Sequence, residues 1–274
     1  MSSYNSNSSI DLQSVVSSSI PLVPRPPTNE SVVANVIHPT TQQEKIENKV
    51  NPVQYYVKAS FMITYILLLT TATITFVEAM RTKVPDVRHV LNLETCISIV
   101  AGYFYSVFLA QIDGFGKDGK PIDWSDITKT RYIDWSITTP LMLLALCVVL
   151  SNQIGRKVDL FTIAMIVVLN YVMLIIGFLG EIKVVDAVTA CVMGFLPFLG
   201  MFYLIYKNYV KPRYSIAGSV LFGIYVVVWS LYGLVYLLPE QYKNISMNIL
   251  DCIAKCFIGL GLWAYYSRIV VLHP

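Results

Sequence analysis

Residues 244–270 read Asn244-Ile-Ser-Met-Asn-Ile-Leu-Asp-Cys-Ile-Ala-Lys-Cys-Phe-Ile-Gly-Leu-Gly-Leu-Trp-Ala-Tyr-Tyr-Ser-Arg-Ile-Val270. The stretch is predominantly apolar and exceeds the ~20 residues that a helix needs to cross a hydrocarbon layer. Asp251 and Lys255 stand in its middle. An ionisable group at membrane depth is expensive, so it is a candidate for function. The four-residue spacing puts both side chains on one helical face, which Asn244 and Asn248 extend.

Working back towards the N-terminus, six further apolar runs of similar length precede this one. The expected spans are 54–79, 89–111, 126–150, 159–180, 183–207, 214–238 and 244–270. They are too long for barrel strands and lack strand alternation. The expected fold is therefore an all-α membrane protein, a seven-transmembrane-helix bundle, because helices satisfy their own backbone polar groups in lipid. Composition agrees: 55% of the 274 residues are hydrophobic and 14% charged, which excludes a soluble enzyme. The net charge of +3 comes without a basic stripe, so nucleic acid is not an expected partner. Three histidines and five cysteines without ligand spacing argue against a metal site. Cys96, Cys147, Cys191, Cys252 and Cys256 all fall in apolar runs and read as small buried residues.

Loop charge sets the expected orientation. The first, third and fifth loops carry Arg81, Lys83, Arg88, Arg156, Lys157, Lys207, Lys211 and Arg213. The second loop, Gln111 to Ser125, offsets Lys117 and Lys120 with Asp113, Asp118 and Asp123. Basic loops stay cytoplasmic, which puts the N-terminus outside and the C-terminus inside. Residues 1–50, rich in Ser, Asn, Pro and Val, read as a disordered extracellular tail with sequons at Asn7 and Asn29. Residues 51–274 read as the helical domain. The bilayer is the expected partner, and a homo-oligomer within it is left open.

The other ionisable residues expected at membrane depth are Glu94, Arg131 and Asp134. A lysine amine can condense with an aldehyde, and the protonated imine that results is a buried cation needing a nearby anion. Asp251 is one turn from Lys255, and Asp134 with Arg131 supplies a second carboxylate and a balancing cation. A salt-bridge cluster that only fixes helix packing would use the same residues.

The words around these residues distinguish the two. Arg131-Tyr-Ile-Asp134-Trp-Ser-Ile-Thr138-Thr139-Pro140-Leu-Met142 resembles the third helix of microbial (type 1) rhodopsins. Trp229-Ser-Leu-Tyr232 resembles the sixth and Asp251-Cys-Ile-Ala-Lys255 the seventh, in the family's order. The resemblance implies covalently bound all-trans retinal, attached as a protonated Schiff base to Lys255. It further implies Asp134 and Asp251 as the counterion pair, with Arg131 on their extracellular side. Tyr105, Trp135, Thr138, Thr139, Met142, Met173, Gly177, Trp229, Tyr232, Gly233 and Tyr236 would line or flank the chromophore. Rigid aromatic walls suit a flat polyene whose rotations must be restricted.

The chain also departs from the family's pumps. Ala145 stands where a pump usually has its cytoplasmic carboxylate, Gly233 where a proline is common, and Lys243 near an expected proton-release carboxylate. Glu94, about 16 Å along its helix from Tyr105 at the α-helical rise, and the Asn244, Asn248, Asp251 and Lys255 face could form another pathway. Interhelical hydrogen bonding would equally explain the asparagines. Asn92-Leu-Glu94-Thr, those asparagines and the basic first loop resemble rhodopsins of large algal viruses, a subgroup that includes light-gated cation channels. A cation channel gated at Lys255, Asp134 and Asp251 is the leading expectation. An outward proton pump using Glu94 and a sensor acting through a partner are the alternatives.

Overall fold

The computed structural model describes residues 52–117 and 121–269. The expected tail with Asn7 and Asn29, together with Asp118 and Lys120, lies outside the described residues. Seven helices follow one another: α1 (Pro52–Arg81), α2 (Pro85–Lys117), α3 (Trp124–Gln153), α4 (Leu160–Glu181), α5 (Ala187–Val210), α6 (Ile216–Val235) and α7 (Glu240–Tyr266). Each is long and apolar enough to cross a membrane, and no strand occurs among the described residues. The chain is an integral, multi-pass membrane protein.

The apolar runs locate these helices, but their ends differ from the expected spans. α2 continues past Gln111 to Lys117 and α7 starts at Glu240, because polar side chains can extend a helix beyond hydrocarbon. α5 starts late, since Asp186 accepts from the Thr189 amide and caps it. Asp123, Asp159 and Ser215 likewise cap α3, α4 and α6, each accepting a backbone N–H of the first turn. Hydrogen bonds from the Thr162 side chain and then its backbone hold the exposed Asp159 carboxyl below its ordinary range. Thr189 does the same for Asp186.

α3 ends in a Schellman turn: Gly155 has φ +68°, Gly155 N–H donates to Asn152 O and Arg156 N–H to Ser151 O. α4 ends in the same way at Lys183, whose φ of 61° puts a side chain where glycine is favoured. Pro140 in α3 cannot bond to the Ser136 carbonyl. Tyr171 of α4 donates to that carbonyl at 3.0 Å instead.

The bundle has a large apolar cluster around the lower half of α3, with α5 and α6, and a smaller one uniting α1, α2 and the start of α3. The upper end is where α1 begins. Between the clusters lies a layer of buried polar groups, described next. Cys147, Cys252 and Cys256 are buried as expected, whereas Cys96 is exposed because its side of α2 faces away from the bundle.

Candidate functional site

α7 does not continue as a regular α-helix through Lys255. Residues Cys252–Phe257 form a wide π turn between two α-helical halves, and Lys255 stands within it. Such turns are rare and concentrate at functional positions. The amine of Lys255 donates to Asp134 Oδ2 at 2.8 Å and to Asp251 Oδ2 at 3.3 Å. All three side chains are buried.

The two carboxylates have different surroundings. Asp251 also accepts from the hydroxyl of Tyr105 at 2.8 Å and from that of Tyr232 at 2.5 Å. Asp134 Oδ1 has no hydrogen-bond partner. Asp134 thus directs its interaction mainly at the lysine nitrogen, while the charge of Asp251 is shared among several donors.

Arg131 stands beside the carboxylate pair. It does not pair with Asp134 one turn away; its Nη1 lies 3.8 Å from Asp251 Oδ2. Its Nη2 donates to Asn244 Oδ1 at 3.1 Å and Asn248 Oδ1 at 2.9 Å, and these two acceptors draw the guanidinium across to α7. Phe61 and Phe108 hold the cation between rings at 5.3 and 5.0 Å. The expected Asn244–Asn248 stripe is therefore engaged by Arg131 above the lysine. Asn248 also donates to Ser60 at 2.9 Å, linking α7 to α1. Two cations and two carboxylates make the buried centre neutral overall, a condition that burial of charge requires.

On the other side of the centre lies a cleft of about 840 Å³, counted to its open mouth. Its inner end is formed by Lys255 and Asp251. Trp135, Thr139, Met142, Met173, Gly177, Trp229, Tyr232, Gly233 and Tyr236 line it. Trp135 and Tyr232 meet edge to face at 5.6 Å. Tyr105 and Thr138 do not line it. The Tyr105 hydroxyl is engaged by Asp251 and Asn248, and that of Thr138 is turned to the Asp134 carbonyl. The sequence reading missed Tyr132, Met247 and the α5 wall of Cys191, Gly194, Phe195 and Phe198. α5 is apolar all round, so no periodicity marked its inner face.

Below the centre, α1, α2 and α7 enclose a second polar region. Glu94 is buried, and its Oε1 lacks a partner, as do Thr71 Oγ1 and Ser98 Oγ. Glu94 and Thr71 meet near Gly259: a Cβ added there would lie 3.0 Å from Glu94 Oε2 and 3.2 Å from Thr71 Cγ2. Thr75 and Thr95 hydroxyls pair at 2.8 Å one turn lower. On α3, by contrast, Ala145 sits in the large apolar cluster beside Leu146 and Met142.

Lys243 adds an unexpected group at the upper end. Its amine bonds Glu181 Oε2 and Glu240 Oε1, each at 3.0 Å, and lies 5.6 Å from the Tyr236 ring centre. The sequence reading saw only a lysine where a carboxylate was expected. Glu240 was detectable three residues away, but Glu181 was not, because only the fold brings the end of α4 to α7.

The sequence model described as bacteriorhodopsin-like protein matches residues 56–269. Bacteriorhodopsin of Halobacterium salinarum is 26% identical over 217 residues, which cover 71% of this chain and 77% of that protein. Sensory rhodopsin III of Haloarcula marismortui is 30% identical over 187 residues, covering 61% and 75%. The crystal structure of the viral rhodopsin OLPVRII superposes with a TM-score of 0.72 at 40% identity, covering 78% of this chain and 99% of that one.

Proposed function

From its membership of the bacteriorhodopsin-like family, whose members bind retinal covalently as a Schiff base and serve light-driven ion transport or sensing, we propose that this chain is a light-gated cation channel with retinal attached at Lys255. The cleft suits that group. It is long and mainly apolar, it ends at a lysine amine, and two carboxylates stand ready to hold a cation there. When bound, retinal supplies light absorption and an isomerisation that displaces the charge on the lysine nitrogen. The nitrogen of Lys255 in the structure stands for the Schiff-base nitrogen.

The protein's own residues supply the rest. Asp134 is the primary counterion, because it makes the shorter contact and has fewer competing donors. Asp251, fixed by Tyr105 and Tyr232, is the second. A change in the lysine's charge or position alters what Asp251 must balance, and Arg131 is 3.8 Å from that carboxylate. Arg131, Asn244 and Asn248 form the closed upper half of the gate.

The observation that carries the channel reading is the placement of the polar groups below the centre. Glu94 and Ser98 of α2 present two buried polar atoms without hydrogen-bond partners. Leaving each unmet would cost about 1–3 kcal/mol, so water or a passing cation is their natural partner. Glu94 places a buried carboxyl group at the cytoplasmic constriction, with the basic lower loops inside the cell. The pump's usual route along α3 is instead filled by Met142, Ala145 and Leu146.

Photocurrent recorded against voltage tests this. A channel's current reverses with the cation gradient, and Glu94→Gln alters its conductance or selectivity. Current that stays outward at every voltage, with acidification of the medium, would establish the outward proton pump instead. A coloured protein without current would point to a sensor.

A further inference from the structure

The walls of the cleft differ in composition. Above, the lining residue Tyr236 has Lys243, itself paired with Glu181 and Glu240, 5.6 Å from its ring centre. Below, Met142 and Phe198 join a tightly packed apolar cluster. Towards α5 and α6, small residues stand between aromatic rings. Gly194 and Gly233 line the cleft, and their neighbours Met193 and Leu234 are on the exposed apolar surface. The Phe195 ring packs on Gly233: a Cβ there would lie 2.7 Å from both Cε2 and Cζ. The Phe195 ring in turn rests edge to face on Phe198 at 5.4 Å. Cys191 Sγ donates to the Gly233 carbonyl at 3.3 Å, a weak tie between the helices.

We propose that retinal reaches Lys255 from within the bilayer, sideways between α5 and α6, through a port whose door is the Phe195 ring closing on Gly233. The port rests on Lys255 being the attachment site. An apolar polyenal partitions into lipid rather than water, and this wall carries two glycines beside the exposed Met193 and Leu234. Rotation of one phenylalanine opens it without breaking an ion pair, whereas the upper end would require charged groups to separate. Gly233 is what makes the door possible, because any larger residue would occupy the space the ring closes on. Inside, the lysine nitrogen forms a double bond to the aldehyde carbon. The aldehyde oxygen leaves as water with two ammonium hydrogens, and the third stays on nitrogen with the positive charge held by Asp134 and Asp251.

The test follows the rise of visible absorbance after all-trans retinal, dissolved in phosphatidylcholine vesicles, is mixed with retinal-free protein in the same lipid. Phe195→Ala should speed colour formation and Phe195→Trp should slow it, each by about tenfold, equivalent to a barrier change of ~1.4 kcal/mol. Gly233→Val should slow it as well, and circular dichroism checks that each variant is helical. If Gly233→Val does not fold, the two Phe195 variants still decide the matter. Unchanged rates in both Phe195 variants, in protein that colours normally, would overturn the port alone. Faster colouring only in Glu181→Gln would overturn it in favour of an upper, aqueous route. Wild-type protein that never colours would overturn the attachment reading and the port with it.

Discussion

Lys255 donates to Asp134 at 2.8 Å through Oδ2, while Oδ1 of the same carboxylate has no partner. Asp134 is therefore tied to the lysine by one oxygen and is otherwise unsupported. Asp251, with two tyrosines donating to it, is the rigid member.

Asp134→Asn removes the charge and keeps the shape. It should change the colour of the retinal-loaded protein strongly, whereas Tyr105→Phe, which removes one of several donors to Asp251, should shift it less. Absorption spectra recorded across pH check both. An unaltered spectrum in Asp134→Asn would mean that Asp251 is the primary counterion.

Lys243 is buried between Glu181 and Glu240. Lys243→Met leaves Glu181 buried without its cation and should destabilise the bundle by about 3–5 kcal/mol, the usual effect of breaking a buried pair from one side. Adding Glu181→Gln should recover much of that loss. Thermal denaturation of the two variants tests the pairing; a double variant no better than the single one would show that Lys243 acts through packing alone.

Lys183 adopts φ 61° to close α4. A non-glycine residue in that conformation costs about 1–2 kcal/mol, part of which the greater freedom of glycine in the unfolded chain offsets. Lys183→Gly should therefore raise stability by roughly 0.5–1 kcal/mol, seen as a higher melting temperature. Lys183→Val should lower it.

Asp159 caps α4 as a carboxylate, and its folded value lies below the ordinary 3.8. A depressed folded value means that the charged cap contributes stability above the unfolded value. That contribution fades as pH falls through the lower, folded one. The first turn of α4 should loosen in acid below about pH 4, a window set by the ordinary carboxylate range. Hydrogen exchange at the Thr162 amide measures it, and Asp159→Asn, which caps without titrating, should abolish the acid dependence.

The parts of the molecule legible in the sequence were those encoded locally. Run length gave the seven helices, and the four-residue step from Asp251 to Lys255 gave the core of the site. The contacts of Arg131 were not legible, because Asn244 and Asn248 on another helix decide where the guanidinium goes. Phe195 and Cys191 were invisible for a different reason. α5 is apolar on every side, since one side meets lipid and the other the cleft, and hydropathy cannot tell these apart. Glu181 combined both difficulties, with a distant partner and no motif around it.

The wide turn from Cys252 to Phe257 gives α7 slack at Lys255. An α-helix resists a change in length because every backbone bond is committed to one register. A turn holding an extra residue can pass along the helix as its hydrogen bonds re-pair one at a time, each step moving the chain by about one residue rise, ~1.5 Å. Lys255 can thus be drawn along the axis relative to Asp134 on α3 while Glu240 and Tyr266 keep their places. The stroke is absorbed inside a single helix, and the ion pairs at its upper end need not yield.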